Sequence, residues 1–367
     1  MAVSEVKRLP MFDELRGLAI IGVIAIHTAA HDVGNVAASL DYWLLTLQTM
    51  LFRFAVPSFL IVSGFFISCK EQDALQGKLK DIIIRRIQKV AFPYVIWSAL
   101  YFLIFLLLGV QFSRNPAIIF FEKLLTGSVV LHLYFLTLII QLYLFSYFGF
   151  MENGHATKMT MILAVAAFLV FTIPLYMITI DASELAVMKA GYYFRAFERS
   201  FFPRWLLFFM LGRWMGIHWK EVEYFTLKHR RLLSLSVVIS FVFCWLDFYI
   251  LRLYSENMHL LPPDWMISCL LFGSLFTVWF LTLRTRNNLM LGWLGKLGAV
   301  SFGVYLLHEP FLSLLMSSNF WLSNIGILPN IFIRQSVAIL SGLGVSLIIF
   351  AALQRILPTR ARRYMLG

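Results

Sequence analysis

Long apolar runs separated by short polar connections make up most of the chain. Ten of these runs are long enough to cross a bilayer, whose hydrocarbon core needs about 20 apolar residues in helical form. They cover residues 14–30, 43–68, 90–110, 130–150, 159–180, 203–217, 232–252, 265–283, 299–317 and 331–356. The pattern predicts an all-α bundle of about ten transmembrane helices, with both ends of the chain on one side.

The positions of lysine and arginine test this arrangement, because short cytoplasmic loops are enriched in them. Of the 31 such residues, 21 fall on the side that holds both chain ends, seven on the other side and three within the runs. This bias predicts that both termini are cytoplasmic. Four of the seven outer charges lie in or directly after the segment 181–203, and a re-entrant or interfacial segment would fit there.

Composition places the chain among integral membrane proteins. Hydrophobic residues make up 60% and charged residues 14%, against about 45–50% and about 25% in soluble domains. The net charge of +12 does not predict nucleic-acid binding, because the basic residues lie between apolar runs and not on one soluble face. The three cysteines lie in or beside the runs, so we expect packing thiols and neither disulfide bonds nor a metal site.

The apolar runs also account for the organisation of the whole chain. The sequence shows no repeat of clear period and no soluble stretch of domain size. We therefore expect one transmembrane domain over residues 1–367, with no soluble extracytoplasmic domain. We also expect the first run to be retained, because no small-residue cleavage site follows it at a suitable distance.

Arg16 and His27 are two of the ionisable residues in the first run. Their spacing brings them to the same side of a helix, about 16 Å apart along its axis. An ionisable residue in a membrane helix is costly wherever lipid surrounds it, and it therefore indicates function. The pair predicts a polar path, with the arginine at one membrane edge and the histidine most of the way across.

The second run places Arg53 one turn before Pro57, with Ser63 and Gly64 further on. Proline removes a helix hydrogen bond, so the pattern predicts a kink that frees the Arg53 carbonyl. Close packing of a neighbouring helix against Ser63 and Gly64 would account for these small residues. It does not account for a buried guanidinium, and we favour a functional role for Arg53.

The connection after the second run holds Arg85, Arg86 and Lys89. Membrane topology alone demands positive charge on the cytoplasmic side. The same cluster also suits an anionic cytosolic ligand, because arginine matches the geometry of phosphate. The sequence supports both explanations.

The fourth run holds His132 and Tyr134 near its outer end and Gln141 deeper in the membrane. Aromatic residues at the end of a span are typical of the membrane interface. His132 on its own is accounted for in the same way.

The ninth run contains Tyr305, His308 and Glu309, followed by Pro310. A histidine and a carboxylate in mid-membrane beside a proline form a costly arrangement. His308 is either a hydrogen-bonding hub between helices or a member of the site. Adjacent helix positions differ by about 100°, so we expect that His308 and Glu309 do not both face one cavity. Three further charges are expected to form pairs inside the bundle: Asp247, Arg213 and Arg334.

Taken together, these segments resemble acyltransferase family 3, integral membrane enzymes that acylate bacterial cell-surface glycans and related molecules. The first helix matches the family signature through Phe12, Asp13, Arg16, Gly17 and His27, and the second through Arg53, Pro57, Ser63, Gly64 and Phe65. Three further blocks follow in the family's order: Arg85-Arg86 with Pro93-Tyr94 and Trp97, His132 to Leu136, and Ser301 to His308. Family members often read histidine-proline in the last block, whereas here Glu309 intervenes.

The resemblance implies a multi-pass protein of the cell's inner (cytoplasmic) membrane. Its donor would be cytosolic acyl-coenzyme A, with acetyl-coenzyme A as the commonest case. Its acceptor would be a hydroxyl of a cell-envelope glycan or glycolipid precursor. The donor would act as a co-substrate, with no permanently bound cofactor, and the bilayer would be the other partner.

The resemblance also implies roles for the quoted residues. His27 would be the general base, since histidine can take and return a proton near neutral pH, with a transient acyl-histidine as a second option. Arg16 and Arg53 suit donor phosphates or the thioester oxygen. The coenzyme would also contact Arg85, Arg86 and Lys89. Supporting or acceptor-binding roles are expected for Asp13, Ser63, His132, Tyr134, Gln141, Tyr305, His308 and Glu309.

A transporter or flippase for a glycan or lipid-linked intermediate is the main alternative, because kinked helices and buried charges also mark substrate pathways. Against it, the sequence shows no inverted repeat, and the charges cluster in the first, second and ninth runs. A non-enzymatic sensor or assembly partner is a third reading.

Overall fold

The architecture is helical throughout the part of the chain that the computed structural model describes. Those residues are 9–36, 40–73, 78–148, 154–180, 199–254, 260–283, 289–316 and 330–366, and they contain no strand. The helices are α1 (Pro10–Asp32), α2 (Leu40–Leu51), α3 (Ala55–Asp73), α4 (Lys78–Leu107), α5 (Pro116–Thr126), α6 (Tyr134–Tyr147), α7 (Gly154–Ile180), α8 (Phe202–Ile217), α9 (Trp219–Lys228), α10 (Arg230–Tyr254), α11 (Ile267–Phe280), α12 (Leu289–Leu315), α13 (Ile331–Ile356) and α14 (Thr359–Met365). The all-α prediction is confirmed.

Each of the ten predicted runs contains a helix, but fewer helices qualify as membrane spans. Among the described residues, six are long and apolar enough, or seven if α5 and the helical segment that follows it form one span bent by 46°. The helix Ile267–Leu283 is apolar but shorter. Neither α1, which carries charged residues near both ends, nor the 16-residue α8 is among them. The predicted re-entrant segment lies mostly in 181–198, outside the described residues.

Helix α1 lies at the centre of the bundle and packs against α12. Phe12, Leu15 and Ile20 on α1 are fully buried. A side chain at Gly17 would overlap the backbone carbonyl of Leu294, and one at Gly298 would overlap the carbonyl of Asp13. The two glycines therefore allow the backbones of α1 and α12 to touch, which fixes how the side chains further along the two helices meet.

Small residues also join α3 to α8. A side chain at Gly64 would overlap the carbonyl of Phe209, and one at Gly212 would overlap the carbonyl of Ile61. The prediction that Gly64 allows close packing of a neighbouring helix is confirmed, and α8 is that neighbour.

The second predicted run is broken, and the break lies before the proline. Helix α2 ends at Leu51 and α3 begins at Ala55, with a turn between them. Pro57 therefore lies in the first turn of α3, where a missing N–H costs little. The interruption predicted from Pro57 is found as the turn at 52–54, and this turn carries Arg53.

The basic residues after α3 also differ from expectation. Helix α4 begins at Lys78 and runs through Pro93, so Arg85, Arg86 and Lys89 lie on a helix and not in a connection. Arg85 and Lys89 are exposed, whereas Arg86 is partly buried. Arg85 and Lys89 therefore share the exposed side of α4, and Arg86 points away from them toward the bundle.

Candidate functional site

A carboxylate on α12 lies between two histidines of α1. His27 Nδ1 is 3.4 Å from Glu309 Oε2, and His31 Nε2 is 3.1 Å from Glu309 Oε1. His27 and His31 are one turn apart, so both lie on the side of α1 that faces α12. Glu309 Oε1 is hydrogen-bonded to His31, whereas Oε2 lies within ion-pair range of His27 and has no hydrogen bond among the described residues.

His308 joins the same cluster from α12. Its ring centre is 5.3 Å from that of His27, and its side chain is completely buried. His308 Nδ1 lies 2.7 Å from the backbone carbonyl oxygen of Tyr305, so this nitrogen carries the hydrogen and donates it. The lone pair is then on Nε2, which has no hydrogen-bond partner among the described residues.

The expectation that His308 and Glu309 would not face one cavity is wrong. One ligand-type atom from each of His27, His308 and Glu309 lies within 4.8 Å of the others. An angle of about 100° between adjacent positions still leaves both side chains within reach of a helix that packs directly against them. The contact of α1 with α12 at Gly17 and Gly298 brings that helix near enough.

His132 forms another wall of the cluster. Its ring centre is 5.0 Å from that of His308 and 6.3 Å from that of His27. The side chain is 1% exposed, and neither ring nitrogen has a hydrogen-bond partner in the described part of the chain. A buried imidazole without partners is costly. His132 therefore belongs to the site and not to the membrane interface.

Two tyrosines hold the surroundings of these rings in place. The hydroxyl of Tyr305 donates to the carbonyl of His132, and that of Tyr101 donates to the carbonyl of Leu306. These bonds connect α12 with α4 and with the turn before α6. Tyr305 was predicted as a supporting residue, whereas Tyr101 was not predicted.

A polar network anchors the end of α1 next to the cluster. Asp32 Oδ2 accepts from Arg334 Nε at 2.7 Å and from Gln335 Nε2 at 2.6 Å. Gln48 Nε2 on α2 donates to the carbonyl oxygen of Ala25 at 2.7 Å and to Gln335 Oε1 at 2.9 Å. The expected pairing of Arg334 inside the bundle is confirmed.

Asp247 is also paired, as expected. Its Oδ2 accepts hydrogen bonds from the hydroxyls of Tyr176 at 2.7 Å and Ser268 at 2.5 Å. Arg213 is buried on α8. These residues connect helices away from the histidine cluster.

A second group of charges surrounds Arg53. The guanidinium of Arg53 donates to the carbonyl of Pro262, and Arg204 Nη2 is 3.3 Å from Asp264 Oδ1. Burial alone would raise the pKa of Asp264, but Arg204, Arg199 and Arg53 together lower it below its ordinary value. Arg53 also lies within electrostatic range of His27 and of Tyr134. The predicted site residues Arg53 and Tyr134 therefore adjoin the cluster.

Arg16 lies at the other end of α1 from the histidines. Its Nη1 is 3.0 Å from Asp13 Oδ1, and its guanidinium lies 5.3 Å from the ring centre of Phe66. Arg86 donates to the carbonyl of Phe66 at 3.4 Å and lies within electrostatic range of Arg16. Tyr143, another electrostatic neighbour of Arg16, is hydrogen-bonded to Ser63 at 2.8 Å.

The structure thus separates the predicted site residues into two ends of α1. The Arg16 end holds Asp13, Ser63 and Arg86, while Arg85 and Lys89 are on the exposed side of α4. Gln141 belongs to neither end. Its Nε2 donates to Ser200 O at 2.7 Å and its Oε1 accepts from Phe202 N at 3.3 Å, so it fixes the start of α8.

His31 is the site residue that sequence analysis missed. It lies four residues after His27, a spacing that places it on the same side of α1. The spacing of four residues was visible in the sequence. The contact of His31 with Glu309, which makes it a site residue, was not.

The fold and the site together define a multi-pass membrane protein with a histidine and carboxylate cluster inside its bundle. A family model described as an acyltransferase domain matches residues 11–353, nearly the whole chain. The protein belongs to this family, acyltransferase family 3.

Curated relatives carry a different description. The "Probable poly-beta-1,6-N-acetyl-D-glucosamine export protein" of Staphylococcus aureus strain MRSA252 is 26% identical over 242 residues. Its counterpart in strain MSSA476 is 25% identical over 244 residues. Each match covers 63% of this chain and 65% of the relative, less than two thirds of that protein. No solved structure matches.

Proposed function

We propose that this membrane acyltransferase moves an acyl group, acetyl in the first instance, from acyl-coenzyme A to a hydroxyl of a cell-envelope glycan or glycolipid. His27 is the general base. The observation that supports this most directly is the contact of His27 Nδ1 with Glu309 Oε2 at 3.4 Å. A base whose second nitrogen lies against a carboxylate resembles the arrangement that activates hydroxyl nucleophiles in unrelated enzymes.

In the proposed reaction, His27 takes the proton of the acceptor hydroxyl as the oxygen attacks the thioester carbonyl. The carbon–sulfur bond breaks, and the thiolate of coenzyme A receives the proton from His27. Glu309 stabilises the imidazolium while it exists and keeps the ring in place. Arg53 supplies positive charge near the developing oxyanion. No other reactant is needed.

The donor would enter at the Arg16 end of α1. Arg16 and Arg86 lie close together there, and guanidinium groups suit the phosphates of coenzyme A. The pantetheine arm would then extend along α1 for about 16 Å to reach His27. If the Arg16 end is cytoplasmic, the acyl group crosses most of the membrane without transport of the donor.

A lipid-anchored acceptor has a route to the same place. A groove with a volume of about 270 Å³ lies between α2 and α13, and its lining is mostly apolar. Gln48 and Gln335 line it too, and Gln48 is bonded to Ala25, two residues before His27. Such a groove suits the hydrocarbon chain of a glycolipid whose head group lies at the histidines.

The test is transfer of radiolabelled acetyl from acetyl-coenzyme A by the purified full-length protein, with coenzyme A release as a second readout. His27→Ala should lower the rate by about 10²–10⁴-fold, the usual contribution of a general base. Glu309→Gln should lower kcat in the same direction. His218→Ala, an exposed histidine far along the chain, is the matched control. Equal rates for wild type and His27→Ala would reject the assignment.

The donor end is tested in the same assay. Arg16→Ala should raise KM for acetyl-coenzyme A more than it lowers kcat, because it removes a contact to phosphate and leaves the base intact. Arg231→Ala serves as the comparison, since Arg231 is exposed on α10 and is not among the residues expected to contact the donor. A fall in kcat alone would place Arg16 outside the donor site.

Export of a glycan is the second candidate, and it is favoured by the description of the Staphylococcus aureus relatives as probable export proteins. The two candidates differ in one product. Movement of a glycan across proteoliposome membranes without release of coenzyme A would favour export, and acylation of the glycan would favour transfer.

A further inference from the structure

The cluster of His27, His308 and Glu309 has the composition of a metal site. Two imidazoles and one carboxylate are a ligand set found around zinc, and such sites leave one coordination position open. The ligand-type atoms lie within 4.8 Å of one another, whereas ligands about 2.1 Å from a tetrahedral ion are about 3.4 Å apart. Small side-chain rotations would therefore be enough to enclose an ion.

The surroundings of the three residues support the same interpretation. A histidine that binds a metal usually donates its other ring N–H to a carbonyl or carboxylate, which fixes the lone pair toward the ion. His308 does this through Tyr305, and its buried Nε2 has no partner among the described residues. His31 Nε2 bonds Glu309 Oε1 at 3.1 Å, which orients the carboxylate and leaves Oε2 to face the ion.

We propose that His27, His308 and Glu309 form a reversible binding site for a divalent transition-metal ion of the zinc type. Glu309 supplies negative charge to the site, and Arg53 lies within electrostatic range of His27 and opposes a second positive charge. The site is therefore suited to reversible occupation and not to a permanently held ion. Imidazole ligands also select zinc-type ions over magnesium and calcium.

Occupation would inhibit acyl transfer. A neutral imidazole has one lone pair, and the nitrogen that binds a metal can no longer accept a proton. The bound ion would also occupy the space between His27 and His308 where an acceptor hydroxyl has to lie. This inhibition rests on the proposed function, whereas metal binding does not.

Binding is measured with the metal-stripped, full-length protein in detergent, by titration with zinc chloride against a chromogenic chelator and without donor or acceptor. The wild type should bind one equivalent in the micromolar range or tighter. Glu309→Gln and His308→Ala should each weaken binding by more than about tenfold. A His218→Ala/His229→Ala double variant, which removes two histidines outside the cluster, should bind as the wild type does.

Thermal melting of each variant checks that the fold is intact, and Glu309→Gln is nearly isosteric. The proposal is overturned if the wild type does not bind zinc, or if either site variant binds it as tightly as the wild type. The inhibition is overturned if acyl transfer continues at zinc concentrations that saturate the site. Zinc binding by a protein that shows no transfer would reject the proposed function and leave the metal site standing.

Discussion

Glu309 is the residue on which the geometry of the site depends. Its two oxygens contact different histidines, and those histidines are one turn apart on the same helix. The hydrogen bond from His31 to Oε1 holds the carboxylate and turns Oε2 toward His27. The position of Glu309 relative to His27 therefore depends on His31.

His31 is accordingly predicted to be a positioning residue. His31→Ala should lower kcat by about tenfold, because Glu309 loses one of its two partners. KM for the donor should stay unchanged, since the donor phosphates are expected at the other end of α1. His31→Gln keeps an N–H donor and should recover most of the rate. A purely structural defect would not be rescued by a donor at this position.

Steady-state kinetics of the two His31 variants provide the measurement, with His229→Ala as a comparison. The role of His31 would have to be abandoned if His31→Ala had the wild-type kcat. It would also fail if the alanine and glutamine variants were equally slow.

At this scale the sequence predicted which residues form the site better than it predicted how those residues are arranged. His27 and His308 were singled out because ionisable groups in membrane helices are costly, and His132 through the family resemblance. The structure brings the three together. The relation of His308 to Glu309 was wrong, because helix periodicity gives directions around one axis only. It does not say how near the next helix lies.

At the scale of elements, the contact between α1 and α12 is the feature that assembles the site. These helices carry His27, His31, His308 and Glu309, and they touch through glycines far from those residues. An error of even a small fraction of a turn in this contact would separate the histidines from the carboxylate.

Gly298→Ala is predicted to destabilise the protein by about 1–3 kcal/mol, because the added methyl group would overlap the carbonyl of Asp13. The protein that remains folded should also have a lower specific activity than the wild type, because the histidines and the carboxylate are displaced. Thermal melting and specific activity give the two numbers. Gly292→Ala, where a methyl group meets no atom, should change neither, and equal behaviour of the two variants would contradict the prediction.

The break between α2 and α3 shows where element prediction from sequence reached its limit. Pro57 predicted an interruption of the second run, and the turn at 52–54 lies directly before it, where the missing N–H leaves the Arg53 carbonyl without a helical partner. What could not be predicted is the contact made by this turn. It places Arg53 against Pro262, and a contact with a residue so distant in the chain is not visible in local sequence.

At the scale of the whole molecule, the helical class was predictable and the number of crossings was not. Apolar runs identify helices because the bilayer leaves few alternatives. A hydropathy pattern does not decide whether the 16-residue α8 or the polar α1 crosses fully. The basic residues favour cytoplasmic termini, and this stays a prediction.

Cysteine labelling tests the predicted sidedness of α4. The native cysteines are buried, so the background should be low. Ser113→Cys should react with a membrane-impermeant maleimide in intact cells, because it follows α4 on the predicted outer side and is exposed. Asp81→Cys, exposed near the start of α4, should react only after the membrane is permeabilised. Labelling of Asp81→Cys in intact cells would reverse the assignment.

The central position of α1 has a consequence for how the protein is made. Helix α1 begins at Pro10, whereas its partner α12 begins at Leu289. At about 5–20 residues per second, the ribosome would deliver α12 roughly 15–55 s after α1. During that interval the histidines of α1 have no carboxylate partner. Exposure of the ionisable residues of α1 to lipid would then be energetically unfavourable. We therefore expect the new chain to keep its first helix out of lipid, in an insertase or against α3, until translation supplies the carboxylate of α12.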